Sequence, residues 1–172
     1  FYASDLGQRL VAVENASHAD ADTAAKRAAG VDLVKTMGAD SARLDAIERL
    51  LDAIDTTDQS ARAVQEVIVR FLMAASHSGA LGYTIDEDTL RIILKEDEAD
   101  MIADMEIGGL ADAAFTYRDI SDADLATYAD ALEHPTMQEV YELMNAVQFE
   151  VMVNRFEVLA IRMAELHPGE EL

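Results

Sequence analysis

Apolar positions along this chain recur at steps of three and four residues, the helical period, with few competing strand signals. The longest such stretch runs from His134-Pro135 to Leu166-His167-Pro168-Gly169 and contains no internal Gly or Pro. Pro135 suits a first helical position, where its missing N–H is not needed. Pro168 and Gly169 predict the stop. Inside the stretch, Val140, Met144, Val147 and Val151 form one apolar series. Phe149, Met152, Phe156, Leu159 and Met163 form a second, rotated from the first. An apolar surface that wide predicts a long central helix contacted on several sides.

The rest of the chain reads as shorter helices. Ser4 is a candidate N-cap with Asp5 in the first turn, ahead of Leu6, Leu10 and Val13 at helical spacing. One long helix, or two with a break near His18–Asp22, runs to Gly38, and Gly30 is a second candidate break. Asp40 or Ser41 caps a helix carrying Leu44, Ile47, Leu51 and Ile54. Thr57-Asp58 turns the chain into a third, with Val64, Val67, Ile68, Phe71 and Leu72, ended by Ser78-Gly79 and Gly82. Thr84-Ile85-Asp86-Glu87 has the form of a capping box. The helix it opens is expected to run to Tyr117, with a kink or break at Gly108-Gly109. Ser121 starts a short helix with Leu125, Tyr128 and Leu132. The expectation is an all-α, multi-helix bundle.

With 172 residues, 51% of them hydrophobic, the chain can bury a real core as one domain or a closely packed pair, and a single helical domain spanning 1–172 is expected. Cysteine is absent, which removes disulfides, thiol catalysis and Cys-based zinc sites. The net charge of −21 disfavours nucleic acid and anionic membranes as partners; solubility or a saline habitat is the plain explanation of such an acidic surface. No stretch approaches the roughly eighteen uninterrupted apolar residues of a membrane span. The abrupt opening on Phe1-Tyr2 leads us to expect a mature or trimmed product.

An internal repeat is expected at an offset that places Phe1–Leu10 on Ala131–Val140, Gln8 on Gln138 and Asn15 on Asn145. The first unit covers about 1–80 and the second about 84–166. The second copy has a short helix, Ser121–Glu133, before its break, so the first is expected to lack the matching N-terminal helix. The segments FYASDLGQRL, RLDAIERLLDAID and ISDADLATYADALEHPTMQEVYELMNAV resemble the bacterial proteins grouped as domain of unknown function 2059. Phe1, Tyr2, Ser4, Gly7 and Gln8 match that pattern in the first copy, and Tyr128, Leu132 and Pro135 match it in the second. Met137 stands where the pattern has Gly. The resemblance implies a helical protein exported to the periplasm and implies no reaction.

Candidate chemistry is sparse. Glu14 and His18 are four apart, with Asp20 and Asp22 behind them, but a metal site needs three or four converging ligands. The acidic run Glu96, Asp97, Glu98, Asp100, Asp104 and Glu106 lacks the Glu-x-x-His pairs of a di-metal bundle and the spacing of an EF-hand, so a charged helix face is expected. Gly79-Ala80-Leu81-Gly82 lacks the Lys of a phosphate loop, and His77 beside Ser76 and Ser78 suits a helix end. No catalytic residue, cofactor or metal is expected.

The sequence therefore points to a non-enzymatic interaction or structural protein whose protein partner is unidentified; a second copy of the chain is one candidate. In this view Phe1 and Tyr2 pack on a neighbouring helix and fix a helix entry, as a hydrophobic staple does. The alternative is a small carrier holding an apolar ligand against Phe149, Met152 and Phe156. Cation-dependent hydrolysis is a third, kept only for the negative charge.

Overall fold

The computed structural model describes residues 1–54 and 57–166. Eight α-helices make up the described structure, with no strand among the described residues. They are α1 (Asp5–Ala19), α2 (Thr23–Thr36), α3 (Ala42–Ile54), α4 (Thr57–His77), α5 (Glu87–Glu96), α6 (Glu98–Thr116), α7 (Asp122–Leu132) and α8 (Pro135–Leu166). The all-α expectation holds. The expected stop at Pro168-Gly169 and the residues leading into Thr57 lie outside the described residues.

Polar side chains cap the starts of five helices. Ser4 Oγ accepts from Gly7 N at 3.1 Å, Asp22 Oδ1 from Ala25 N at 3.0 Å, Ser41 Oγ from Leu44 N at 3.1 Å and Ser121 Oγ from Asp124 N at 3.1 Å. Each satisfies one of the orphan N–H groups of a first turn. The two-helix alternative near His18–Asp22 is the one adopted, and of Asp40 and Ser41 it is Ser41 that caps. Thr84 is not the cap of α5. Asp86 takes that place, accepting from Thr89 N at 2.9 Å, because the backbone before it is pinned elsewhere. Ser76 Oγ, buried near the end of α4, accepts from Ile85 N at 2.9 Å, which holds Ile85 out of the helix.

The contacts divide the chain into two compact units, Phe1–Thr56 with Ala103–Glu142, and Thr57–Ile102 with Leu143–Leu172. This partition differs from the halves 1–80 and 84–166 expected from the repeat. In the repeat register the starts of α1 and α8 correspond, at Asp5 and Pro135, yet Leu10 is fully buried and its counterpart Val140 is 43% exposed.

The core of the first unit joins Leu10 of α1, Ala46, Ile47 and Leu50 of α3, Ala113 and Ala114 of α6, and Leu125, Tyr128, Ala129 and Leu132 of α7. Ion pairs rim it. Arg49 on α3 clasps Glu133 with two nitrogens, at 2.8 and 2.6 Å, and reaches Asp130 at 2.6 Å. That bidentate hydrogen bonding holds the Glu133 carboxyl below the usual carboxylate range. Arg43 donates to the carbonyls of Tyr117 and Ile120 and to Asp122 Oδ1, tying together the turn from α6 to α7.

Neither Gly30 nor Gly108-Gly109 breaks a helix; α2 and α6 run through them. The reason is a close helix crossing. A Cβ on Gly30 would lie 2.0 Å from the Ala111 carbonyl oxygen, and one on Gly108 would lie 2.7 Å from the Arg27 guanidinium. In both places the glycine makes room for a neighbour.

In the second unit, Ala61, Val67, Val69 and Ala75 of α4 are buried, as are Val153 and Ala160 of α8. Phe71 meets Phe156 edge-on at 5.7 Å between ring centroids. Glu66 joins Arg70 and, across to α5, Arg91, which lowers its carboxyl. The long C-terminal helix is present, but it is not contacted on several sides. Val153 and Ala160 are its only fully buried side chains, and Val140, Met144, Val147 and Val151 all face outward. Its own chain covers a stripe through Met137, Tyr141, Asn145, Phe149, Val153, Glu157 and Ala160, at steps of three and four residues. Apolar breadth alone does not say which molecule covers the rest.

The Gly30 crossing gives a direct test. Gly30→Ala is expected to lower unfolding free energy in urea by about 1–3 kcal/mol, the usual range for overpacking. Gly38→Ala, where a Cβ meets nothing within 4 Å, is expected to change it by less than about 0.5 kcal/mol. Equal effects at the two sites would remove the crossing as the cause.

Candidate functional site

The residues singled out at the two motif copies lie together in the first unit. The Ser4 cap and Gly7 let the first turn of α1 close on the chain before it. A Cβ at Gly7 would lie 2.7 Å from both the Phe1 carbonyl oxygen and Tyr2 Cα, so only glycine fits without backbone movement. Gln8 Nε2 donates to the Tyr2 carbonyl at 2.6 Å. The aromatic pair is thereby aimed at α7 and α8. Phe1 stacks on Tyr128, with ring centroids 5.5 Å apart and planes 6° from parallel, and meets Tyr2 edge-on at 5.6 Å. Leu132 is fully buried one turn further along α7, and Pro135 opens α8.

Hydroxyl groups extend this contact into a network. The Tyr2 and Tyr141 hydroxyls are 2.8 Å apart, and those of Tyr2 and Tyr128 are 3.4 Å apart. Tyr117 and Tyr128 each donate to Glu14 Oε1, at 2.7 and 2.9 Å. Four helices or their flanks thus meet at one carboxylate and four phenols. The Tyr117 and Tyr128 rings also pack edge-on at 6.1 Å. Sequence spacing drew attention to Glu14 as a partner of His18. In the fold Glu14 turns to the tyrosines, while His18 is exposed in the last turn of α1. Asp20 and Asp22 are used by the turn into α2, where Asp20 Oδ1 accepts from Asp22 N at 3.0 Å. Tyr117 and Tyr141 belong to no motif, and nothing in their spacing announces them.

Burial, more than any other cause, raises the phenol pKa of Tyr117, Tyr128 and Tyr141 well above the usual tyrosine value. The negative charge of Glu14 adds to the rise at Tyr117; the hydrogen bond with Tyr2 adds to it at Tyr128 and Tyr141. These phenols therefore keep their protons at neutral pH and donate them in hydrogen bonds. The arrangement anchors helices.

Beside the network lies a cavity of about 920 Å³, lined among others by Glu14, Ser17, Leu50, Tyr117, Tyr128 and Tyr141. Ser17 and Thr116 hydroxyls close to 2.9 Å on its wall. The carrier alternative looked elsewhere. Phe149 and Met152 are half-buried, and Phe156 packs against Phe71. Among the described residues no three His, Asp or Glu side chains come close enough together to hold a metal ion. Within the acidic run Glu98 pairs with Lys95. His77 is exposed in the last turn of α4, and no helix of the described residues is long and apolar enough to cross a membrane.

Two outcomes test the aromatic network. Phe1→Ala with Tyr2→Ala is expected to lower stability by about 3 kcal/mol, from a lost stack and hydroxyl contacts, and Tm by roughly 6–12 °C. Unchanged melting would remove the anchoring role. The raised phenols also set a sign for pH. Below an unfolded tyrosine pKa of about 10 both states are protonated, and above it the unfolded chain ionises first, so stability falls as pH rises. Phenolate absorbance from Tyr117, Tyr128 and Tyr141 is expected to appear only as helical circular dichroism is lost; phenolate forming in all five tyrosines of an intact fold would contradict it. Compared with family models, curated proteins and solved structures, the chain matches none.

Proposed function

We propose that the chain is a non-enzymatic helical interaction protein, built from two related helical units and exported to the periplasm as its resemblance to domain of unknown function 2059 implies. The observation that carries this is the surface of α8. Of sixteen exposed large apolar side chains among the described residues, eleven lie on this one helix. Monomers rarely expose contiguous apolar surface of that kind, and where they do it commonly receives another protein. The Phe1–Tyr2–Tyr128 stack and the Glu14 network hold the start of α8, through Tyr141, within the first unit.

The cavity beside Tyr117, Tyr128 and Tyr141 favours a second reading, a small carrier. Its lining mixes hydroxyl, carboxylate and apolar groups. A passenger there would be an amphiphile, in place of the wholly apolar ligand expected from the Met and Phe series.

Native mass spectrometry on protein purified gently from its own host separates the two. A mass made up of whole polypeptides is expected. A reproducible small-molecule increment would replace the interaction reading with the carrier.

A further inference from the structure

The outward face of α8 carries a second periodicity, distinct from the stripe that packs on its own chain. Met144, Val147, Val151, Asn154, Val158 and Ile161 follow one another at alternating steps of three and four residues, the a/d repeat of a coiled coil. All six are exposed, and the five apolar ones are 47–56% exposed. The buried and half-buried side chains Phe149, Val153 and Ala160 fall at other heptad positions on the opposite side of the helix. The seam is thus open to a partner that need not displace anything.

Charges beside the seam say which partner and in which direction. With Met144 at a, the e positions are Gln148, Arg155 and Arg162, and the g positions include Glu150 and Glu157. Arg155 and Arg162 are the only basic residues on α8 in a chain of net charge −21, and both sit at e. In a parallel pair, each g residue faces the e residue five positions later on the other strand. Glu150 then meets Arg155 of the other copy and Glu157 meets Arg162, and two-fold symmetry repeats both pairs. An antiparallel pair would set g against g and e against e, placing Glu against Glu and Arg against Arg. Arg70 of α4, whose principal partner is Glu66, adds longer-range attraction for Glu157 and Glu150 from within the protomer.

We infer that α8 pairs with α8 of a second copy as a parallel, in-register two-stranded coiled coil, with Met144–Ile161 as its seam. The inference rests on the interaction reading above and names its partner. Asn154 is the one polar residue in the seam. In the single protomer its Nδ2 donates to the Glu150 carbonyl at 2.7 Å. Across an in-register seam it faces its own symmetry mate, and such a buried polar pair specifies alignment at some loss of stability. Glu165 occupies the next seam position and ends the apolar run.

The test uses the full chain, which has no cysteine of its own. Light scattering over a concentration series is expected to give twice the protomer mass. Arg155→Glu with Arg162→Glu is expected to weaken the dimer about tenfold or more while leaving helical circular dichroism unchanged. Mixing that variant with Glu150→Arg, Glu157→Arg is expected to restore a dimer containing one of each. Under oxidation Val151→Cys should form a covalent dimer, and Ala146→Cys, exposed on the same helix away from the seam, should not. A monomer throughout, a dimer indifferent to the charge reversals, or equal cross-linking at both cysteines overturns the inference. A monomer carrying the mass of another protein would overturn it and leave the interaction reading standing. A dimer carrying a small passenger would uphold it and displace the non-carrier reading.

Discussion

The geometry of the first unit depends on one carboxylate oxygen. Glu14 Oε1 takes hydrogen bonds from Tyr117 and Tyr128, and through them and Tyr2 it is connected to Tyr141. A buried polar network of this kind stabilises only when every member is satisfied, because an abandoned hydroxyl or carboxylate in low dielectric is costly. Satisfaction requires four helices and the residues before α1 to be placed to within a few tenths of an ångström. No buried side-chain polar atom among the described residues lacks a partner, so the requirement is met. The apolar core supplies the bulk of the driving force, and the tyrosine hydroxyls select one arrangement of it.

Helix existence was largely legible because amphipathic periodicity and caps are local properties. Ser4, Ser41 and Ser121 act where their side chains predict. Glycine was misread where its reason is tertiary: Gly30 and Gly108 look like breaks from sequence, and are contact points because Ala111 and Arg27 approach them. Thr84 has the right residue three positions on and still loses the cap to Asp86, since Ser76 holds Ile85 from a distance of nine residues. Of the candidate site, Phe1, Tyr2, Gly7, Gln8 and Tyr128 were found by motif. Tyr117 and Tyr141 were not, because a lone tyrosine on a helix carries no sign of what its hydroxyl will meet.

The apolar breadth of α8 overstates its contact within the chain, for a physical reason. Hydrophobic breadth reports that a surface prefers to leave water; it does not distinguish burial within a chain from burial between chains. Finer patterning makes the distinction. The stripe through Phe149, Val153 and Ala160 faces its own chain, and the one through Val147, Val151 and Val158 does not. The placement of Arg155 and Arg162 beside the outward stripe is information of a different kind, because charge at a seam bears on direction as well as affinity.

The interleaving of the two units has a consequence for synthesis. The first unit takes residues from both sides of Thr57–Ile102, and the second takes residues from both sides of Ala103–Glu142. Neither core is complete when half of the chain has been made; Leu10 and Ile47 must wait for Leu125, Tyr128 and Leu132 to emerge. Folding is therefore held back until most of the polypeptide exists, which makes it dependent on contacts distant in sequence and correspondingly slow.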